Sequence, residues 1–384
     1  MPALEDAQLT QVTAMRLALS RRIAQRGGWI AFDEYLEQVL YAPGLGYYSA
    51  GAAKLGAAGD FSTAPEISPL FGACIARQCA PLLRAGGELL ELGAGTGTLA
   101  EVLLFRLAAL DALPARYSIL EISADLRDRQ RVRLSHLPPE LYARVQWLDA
   151  LPEKAMRGVI LANEVVDALP FQCFTARTDG YDERGVALDE HGDPCWAARP
   201  ASTALRAELA RLGDSLARPF AVGYKSELCM RVGPWLASLA ATLESGCLLF
   251  FDYGLGRQEL YHPQRDSGTL RCHYRHRAHD DPFLHPGLQD ISAWVDFTRV
   301  AEAGSAVGLE IAGYCTQAAF LLGAGIDAEL ATATTAVDRA LLANQARQLM
   351  MPDEMGETFK AMLLTRGSIP SAAGFSVQDL RRLL

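Results

Sequence analysis

Apolar positions recur at helical spacing through residues 8 to 40, where "FDEYLEQVLYAP" closes at a Pro-Gly break. Helical spacing returns in "PLFGACIARQCAPLL", residues 69 to 83. The stretch between them, "GLGYYSAGAAKLGAAGDFSTAPEIS", is rich in Gly, Ala and Ser and keeps neither period. From residue 88 the pattern changes to short apolar runs separated by helical stretches: "ELLEL", "YSILEIS", "VQWLDA", "GVILANEV" and "CLLFFDYG". Two later runs, "GLEIAGYCTQ" and "KAMLLTRG", flank a helical 318 to 350 and are able to pair antiparallel. Strands alternating with helices imply parallel crossover units. The pattern predicts an α/β fold with a seven-stranded, mostly parallel sheet and helices on both faces.

The same pattern divides the chain. Residues 1–85 read as a helical and loop extension, and 86–384 as the main domain. Two insertions interrupt that domain: 176–222, which opens with the turn-rich "TDGYDERG" and "DEHGDP", and 256–304, rich in Arg and His. The apolar run in 318–350 has two uses open to it, self-association as a homodimer or burial in the core, the commoner fate.

Charge narrows the function. The 384 residues carry 36 basic and 45 acidic side chains, a net −9. That balance disfavours a duplex nucleic-acid binder, whose affinity comes largely from neutralising phosphates. No run reaches the eighteen or so apolar residues that span a bilayer. The opening "MPALEDAQLT" lacks the marks of a signal or transit peptide. The eight cysteines are scattered without metal-ligand spacing, which fits a reducing, cytoplasmic home.

The chemistry starts at "LLELGAGTGTLAEVLL", residues 89 to 104. Gly93, Gly95 and Gly97 stand where an apolar strand meets an apolar helix, so backbone approaches a ligand closely there. The dinucleotide fingerprint G-x-G-x-x-G would place the third glycine one residue later. The phosphate-cradling G-x-x-x-x-G-K-[ST] is absent as well. Glu91, two residues before the first glycine, would repel pyrophosphate but suits the ammonium of an amino-acid ligand. Glu121, closing the next strand, is placed to accept both ribose hydroxyls. Asp149, after the third strand, is placed to accept from an adenine amino group. Ala94, Ile122 and Ala150 adjoin these positions and, with Asn163 at the end of the fourth strand, join the expected donor-binding set. Ammonium, ribose and adenine in order on three strands describe S-adenosylmethionine, with S-adenosylhomocysteine as the product.

The fourth strand ends in "LANEVVDALP", residues 161 to 170. Asn163, Glu164 and Asp167 gather past its carboxyl end, where open α/β sheets bind ligands. A helix cap accounts for Asp167 but less well for Asn163 and Glu164. Methyl transfer from a sulfonium is a direct displacement that needs alignment rather than a metal. If the acceptor is a guanidinium, a carboxylate can hold its fork and concentrate charge on one side, and Glu164 is the first choice for that clamp, then Asp167. In "GTLRCHYRHRAHDDPFLHPG", His273, His276, His279 and His285 lie near Asp280 and Asp281, but their spacing fits no zinc motif and no metal is expected.

With these stretches assembled, the chain resembles the mitochondrial dysfunction protein A family, through "GYYS", "GDFSTAPEIS", "ELGAGTGTL", "EISADLRDRQ", "NEVVDALP", "FDYG", "GTLRCHYRHR", "QDISAWVDFT" and "MPDEMGETFK". The resemblance implies a class I methyltransferase fold, with 1–85 covering the donor site. Its mitochondrial member makes symmetric dimethylarginine on a respiratory complex I subunit, which implies a protein carrying an acceptor arginine as partner. The resemblance places Gly93, Gly95, Gly97 and Glu121 on the donor motif and Asn163, Glu164 and Asp167 on the acidic motif. It also implies that Asp60 and Glu66 line or cover the same cleft. Here the loop reads "GAGTG" where many relatives carry Pro and Arg, and "ELCMRVGPW" around Glu227 is a loose version of the family's segment. Two other functions stay open. One is methylation of a small molecule or nucleic acid, although the aromatic expected to stack on a base is Val165 here. The other is a non-catalytic assembly chaperone that binds the donor.

Overall fold

The computed structural model describes residues 4–50 and 63–384. Its centre is an α/β sandwich whose sheet carries the seven predicted strands. These are β1 Glu88–Leu92, β2 Tyr117–Leu120, β3 Val145–Leu148, β4 Met156–Asn163, β5 Leu243–Leu255, β6 Glu310–Thr316 and β7 Phe359–Arg366. Their spatial order is β6-β7-β5-β4-β1-β2-β3, with β7 antiparallel to both its neighbours. The sheet has eight strands rather than seven. The additional one, Val295–Asp296, pairs parallel with the end of β5, and two residues are too few to register as an apolar run.

Side chains alternate strictly between two cores. Leu89, Val159, Leu161, Leu249, Phe251 and Leu363 face helices Pro69–Leu83, Thr98–Ala109, Gln317–Gly323 and Ala336–Met350. Their neighbours Leu90, Ile160, Ala162, Leu248, Phe250 and Leu364 face helices Val232–Ala241 and Phe297–Ala306. A strand covered on both sides needs apolar residues at every position, which is why these runs read as continuous. Each fully buried Phe or Leu contributes about 1.5–3 kcal/mol.

A third core ties the N-terminal region to the insertions. Helices Asp6–Gln25 and Phe32–Tyr41 bring Met15, Leu19, Phe32 and Tyr35 against Phe171, Val186, Cys272 and Ile291. Phe32 stacks on Trp196 at 4.7 Å between ring centroids. Ile30–Ala31 also pairs antiparallel with strand Gly180–Leu188 of the first insertion. The helix Pro69–Leu83 instead packs in the sandwich, started by Ser68, whose hydroxyl accepts from Leu70 N–H at 3.2 Å. The second insertion forms its own sheet, with Arg271–Tyr274 between Arg277–His279 and Asp290–Ser292. Among the described residues no helix is long and apolar enough to cross a membrane. The carboxyl ends of β1, β2, β4 and β5 therefore open toward a wall built by the N-terminal helices and the second insertion.

Candidate functional site

The loop after β1 turns on glycines. Gly93, Gly95 and Gly97 have φ of 61°, 56° and 83°, the left-handed region that other residues enter only with strain. Gly97 is the N-cap of helix Thr98–Ala109. A Cβ there would sit 3.4 Å from the Gln130 side chain. The loop, with Ala94 at its centre, lines a cavity of about 1250 Å³. A drug-sized pocket is roughly 300–1,000 Å³. The space therefore has room for more than one small ligand.

Two carboxylates face this cavity from adjacent strand ends. Glu91, 3% exposed, accepts from the Tyr117 hydroxyl at 2.6 Å. Burial pushes its carboxyl up to about 7, while the Tyr117 bond pulls it back and the Glu121 charge adds to the rise. Glu121, 5% exposed, accepts from Ser123 N–H at 2.9 Å and from Gln130 Nε2 at 3.2 Å. Burial raises it too, against these hydrogen bonds. Among the described residues neither forms an ion pair with Lys or Arg. A buried carboxylate without a cation is costly unless a ligand supplies one. Glu91 and Glu121 thus suit a cationic, hydroxyl-bearing ligand, and the left-handed loop gives it backbone to lie on. These residues fit S-adenosylmethionine.

Gln130 was not anticipated. Fully buried, it donates from Nε2 to Gly95 O at 2.8 Å and accepts from Trp147 Nε1 at 2.9 Å. It thereby ties the glycine loop to Glu121 and to β3. A signal existed: in helix Ala124–Leu134 the buried positions are Leu126, Gln130 and Leu134, so a glutamine occupies the apolar stripe. The other members of the expected donor set divide. Ile122, 63% exposed overall, lines the cavity and offers an apolar edge. Glu66 lines it as well, accepting from the Thr96 hydroxyl and from Thr98 Oγ1, the latter at 2.8 Å. Asp149 and Ala150 do not. They are exposed at the end of the edge strand β3, and Asp149 turns outward to Arg127 at 2.5 Å. Asp60 lies outside the described residues.

The turn after β4 brings the acceptor-side residues together. Glu164 has φ 54°, and its N–H donates to Phe251 O at 2.8 Å. A glutamate in this conformation carries strain of about 1–3 kcal/mol, which clusters at functional sites. Asn163 Nδ2 donates to Glu164 Oε1 at 3.1 Å. Enclosure by protein pushes Glu164 up to about 8, reinforced by Asp167 and opposed by the Asn163 hydrogen bond. Asp167, 7% exposed, accepts from the Tyr253 hydroxyl, and burial together with Asp290 raises its carboxyl. The turn is pinned from below by the wholly buried Asp252, whose Oδ2 accepts from Val166 N–H at 2.9 Å and Asp167 N–H at 3.2 Å. Asn163 Oδ1 and Asp167 Oδ1 have no partner among the described residues. Both are acceptors, so what they lack is a donor.

The remaining singled-out residues serve elsewhere. Glu227 is not in this wall. Its carboxylate accepts from Thr269 N–H at 2.8 Å and Thr269 Oγ1 at 3.1 Å, fastening the second insertion. His273 reaches the cavity, and His276 sits in a left-handed turn at φ 57°. His279 and His285 are lowered by burial. Among the described residues no three His, Cys, Asp or Glu side chains stand where they could hold a metal ion.

A Rossmann-like sheet in the order 3-2-1-4-5-7-6, with a glycine loop and an acidic residue on the next strand, defines a class I S-adenosylmethionine-dependent methyltransferase. The chain belongs to the S-adenosyl-L-methionine-dependent methyltransferase family 28, whose model matches residues 74–315. It is similar to a Burkholderia thailandensis protein whose structure is bound to S-adenosyl-homocysteine, at 43% identity and a TM-score of 0.94 over 100% of both chains. It is also similar to the mitochondrial protein arginine methyltransferase NDUFAF7 of Mus musculus, 30% identical over 92% of this chain and 85% of the relative. The Danio rerio protein of that name is 29% identical over 87% of this chain and 82% of its own.

Proposed function

We propose that this methyltransferase acts on the guanidinium of an arginine in a protein, with symmetric dimethylarginine as its end product. A respiratory complex I subunit is the first substrate to test. One observation carries the proposal: beside the donor loop, Glu164 and Asp167 stand together in a turn where no Lys or Arg of the described residues forms an ion pair with either. A cationic acceptor answers that charge, and the unpartnered Oδ1 atoms of Asn163 and Asp167 answer its N–H donors. The names of the relatives support the same reading.

S-adenosylmethionine supplies an electrophilic methyl group and leaves as S-adenosylhomocysteine. The protein's part is alignment and charge. Arginine stays protonated at any physiological pH, so its nitrogens are poor nucleophiles. Glu164 and Asp167 pair with one side of the fork and draw positive charge there, leaving the opposite nitrogen richer in electrons. The new N–C bond forms as the methyl–sulfur bond breaks and its electrons stay on sulfur, and the methylated nitrogen releases one proton to solvent. Glu164, raised to about 8 in the empty site, ionises as the guanidinium pairs with it.

The test is incorporation. The protein is incubated with radiolabelled S-adenosylmethionine and a lysate of cells lacking its gene, and the label is sorted into protein, nucleic acid and small molecules. Labelled methylarginine after acid hydrolysis of the protein fraction supports the proposal. Label confined to either other fraction overturns it.

A further inference from the structure

The second insertion contributes a carboxylate to the cavity that the methyltransferase core does not contain. Asp290 opens strand Asp290–Ser292, is 4% exposed, and lies in the cavity wall. Successive strand residues point to opposite faces, so Asp290 and Ser292 share one. Tyr253 shows where that face looks: its hydroxyl stands between Asp167 and Ser292 Oγ, the latter at 2.6 Å. The strand is thereby joined to the acidic turn through a single phenol. Asp290 is also held from the other side, where the Tyr48 hydroxyl donates to its Oδ1 at 2.7 Å. Tyr48 is itself stacked on Tyr41 at 5.4 Å, and Tyr41 donates to Ala168 O at 2.6 Å, one residue past Asp167.

Three segments far apart in sequence thus converge on one spot. The charge of Asp290 raises both Glu164 and Asp167, so the three carboxyls act on one another in one wall. The sign of a ligand there is Asp167 Oδ1, unpartnered among the described residues in a side chain more than nine-tenths buried.

We propose that Asp290 is a specificity-determining residue which, with Asp167, recognises the cationic guanidinium of the acceptor, while Tyr48 fixes its orientation. The inference rests on the arginine reading above. It assigns acceptor choice to the insertion and the N-terminal segment rather than to the methyltransferase core.

The experiment compares the intact protein with Asp290→Asn, Asp290→Glu and Tyr48→Phe. The assay measures methylarginine formed from radiolabelled S-adenosylmethionine in the gene-deleted lysate, titrated over lysate protein. Donor affinity is measured separately by calorimetry. Asp290→Asn is expected to raise the apparent KM for protein by about ten- to a hundredfold, since hydrogen bonds to charged groups are the strong ones. The change in kcat should be smaller and donor affinity unchanged. Asp290→Glu should restore most of the loss, and Tyr48→Phe should raise KM less. If Asp290→Asn does not fold, Tyr48→Phe and Asp290→Glu decide between them: a raised KM in the first with partial retention in the second supports the role, and unmoved KM in both overturns it. An unmoved KM in a folded Asp290→Asn, or a loss confined to donor affinity, also overturns it. Methylarginine formed by the parent protein with unmoved KM in the variants defeats this inference alone. No methylarginine from the parent protein defeats the arginine reading and this inference with it.

Discussion

Tyr117 on β2 donates its hydroxyl to Glu91 on β1 at 2.6 Å, across two parallel strands whose register sets Tyr117 beside Leu89. Glu91 is two residues along on the same face, so the phenol reaches the carboxylate without leaving the core. This bond opposes the desolvation that raises Glu91 to about 7. Removing it should raise Glu91 further, so that a higher pH is needed to ionise it. Tyr117→Phe is therefore expected to weaken S-adenosylmethionine binding about tenfold at pH 7, with recovery above pH 8. Calorimetric titrations between pH 6 and 9 measure this. A loss of affinity independent of pH would show that Tyr117 acts through packing instead.

Gln130 makes three hydrogen bonds from a fully buried amide, to Gly95 O, Glu121 Oε2 and Trp147 Nε1. Gln130→Leu preserves volume and takes one hydrogen bond from each of the three partners, at about 1–3 kcal/mol where the group left behind is buried. The expected result is a clear drop in Tm and a donor affinity weakened tenfold or more. Glycine-loop rigidity can be followed by hydrogen exchange at Gly95 to Gly97, which should quicken in the variant. Unchanged exchange with lower affinity would point to Glu121 rather than the loop.

Glu164→Gln separates binding from transfer. The amide keeps the size and the Asn163 neighbour but cannot carry charge. Donor affinity should hold within about threefold, while methyl transfer falls by about 10²–10³, the usual worth of one group that stabilises charge in the transition state. Stability should move the opposite way. A carboxyl raised in the folded protein from its ordinary value to about 8 binds more protons folded than unfolded between about pH 4.5 and 8. Its contribution to stability is therefore lost as pH rises through that window. The variant should melt roughly 2–5 °C above the parent at pH 9 and close to it at pH 5. Scanning calorimetry at both pH values checks the difference.

Much of the fold was legible because the sandwich imposes two simple rules on the chain. Strands such as "GVILANEV" and "CLLFFDYG" are covered on both faces, so they read as unbroken apolar runs. Gly93, Gly95 and Gly97 were legible because a left-handed loop leaves few other choices. What stayed hidden depends on distance in sequence or on position within the sheet. Asp149 follows a strand as Glu91 and Glu121 accompany theirs, but β3 is the edge strand, and its end meets solvent and Arg127. Asp290 comes from a separate sheet, 123 residues beyond Asp167, and only tertiary packing brings the two acids to one wall. The left-handed backbone of Glu164 has no signature either, since glutamate rarely adopts it.

The charge of the acceptor can be read from pH profiles without knowing its identity. Glu164 ionises near 8 in the free protein, so kcat/KM should fall as pH drops through that region. Asp167 lies beside it, raised in the same direction, and the two report as a coupled pair rather than as separate groups. A bound guanidinium favours the ionised form of both. The limb of the kcat profile, which reports the loaded enzyme, should therefore lie at least one pH unit below that of kcat/KM. A neutral acceptor gives no such pull and leaves the two limbs together. Because arginine does not titrate in this range, any shared movement belongs to the protein. Coincident limbs would exclude a cationic acceptor, whatever protein fraction carried the label.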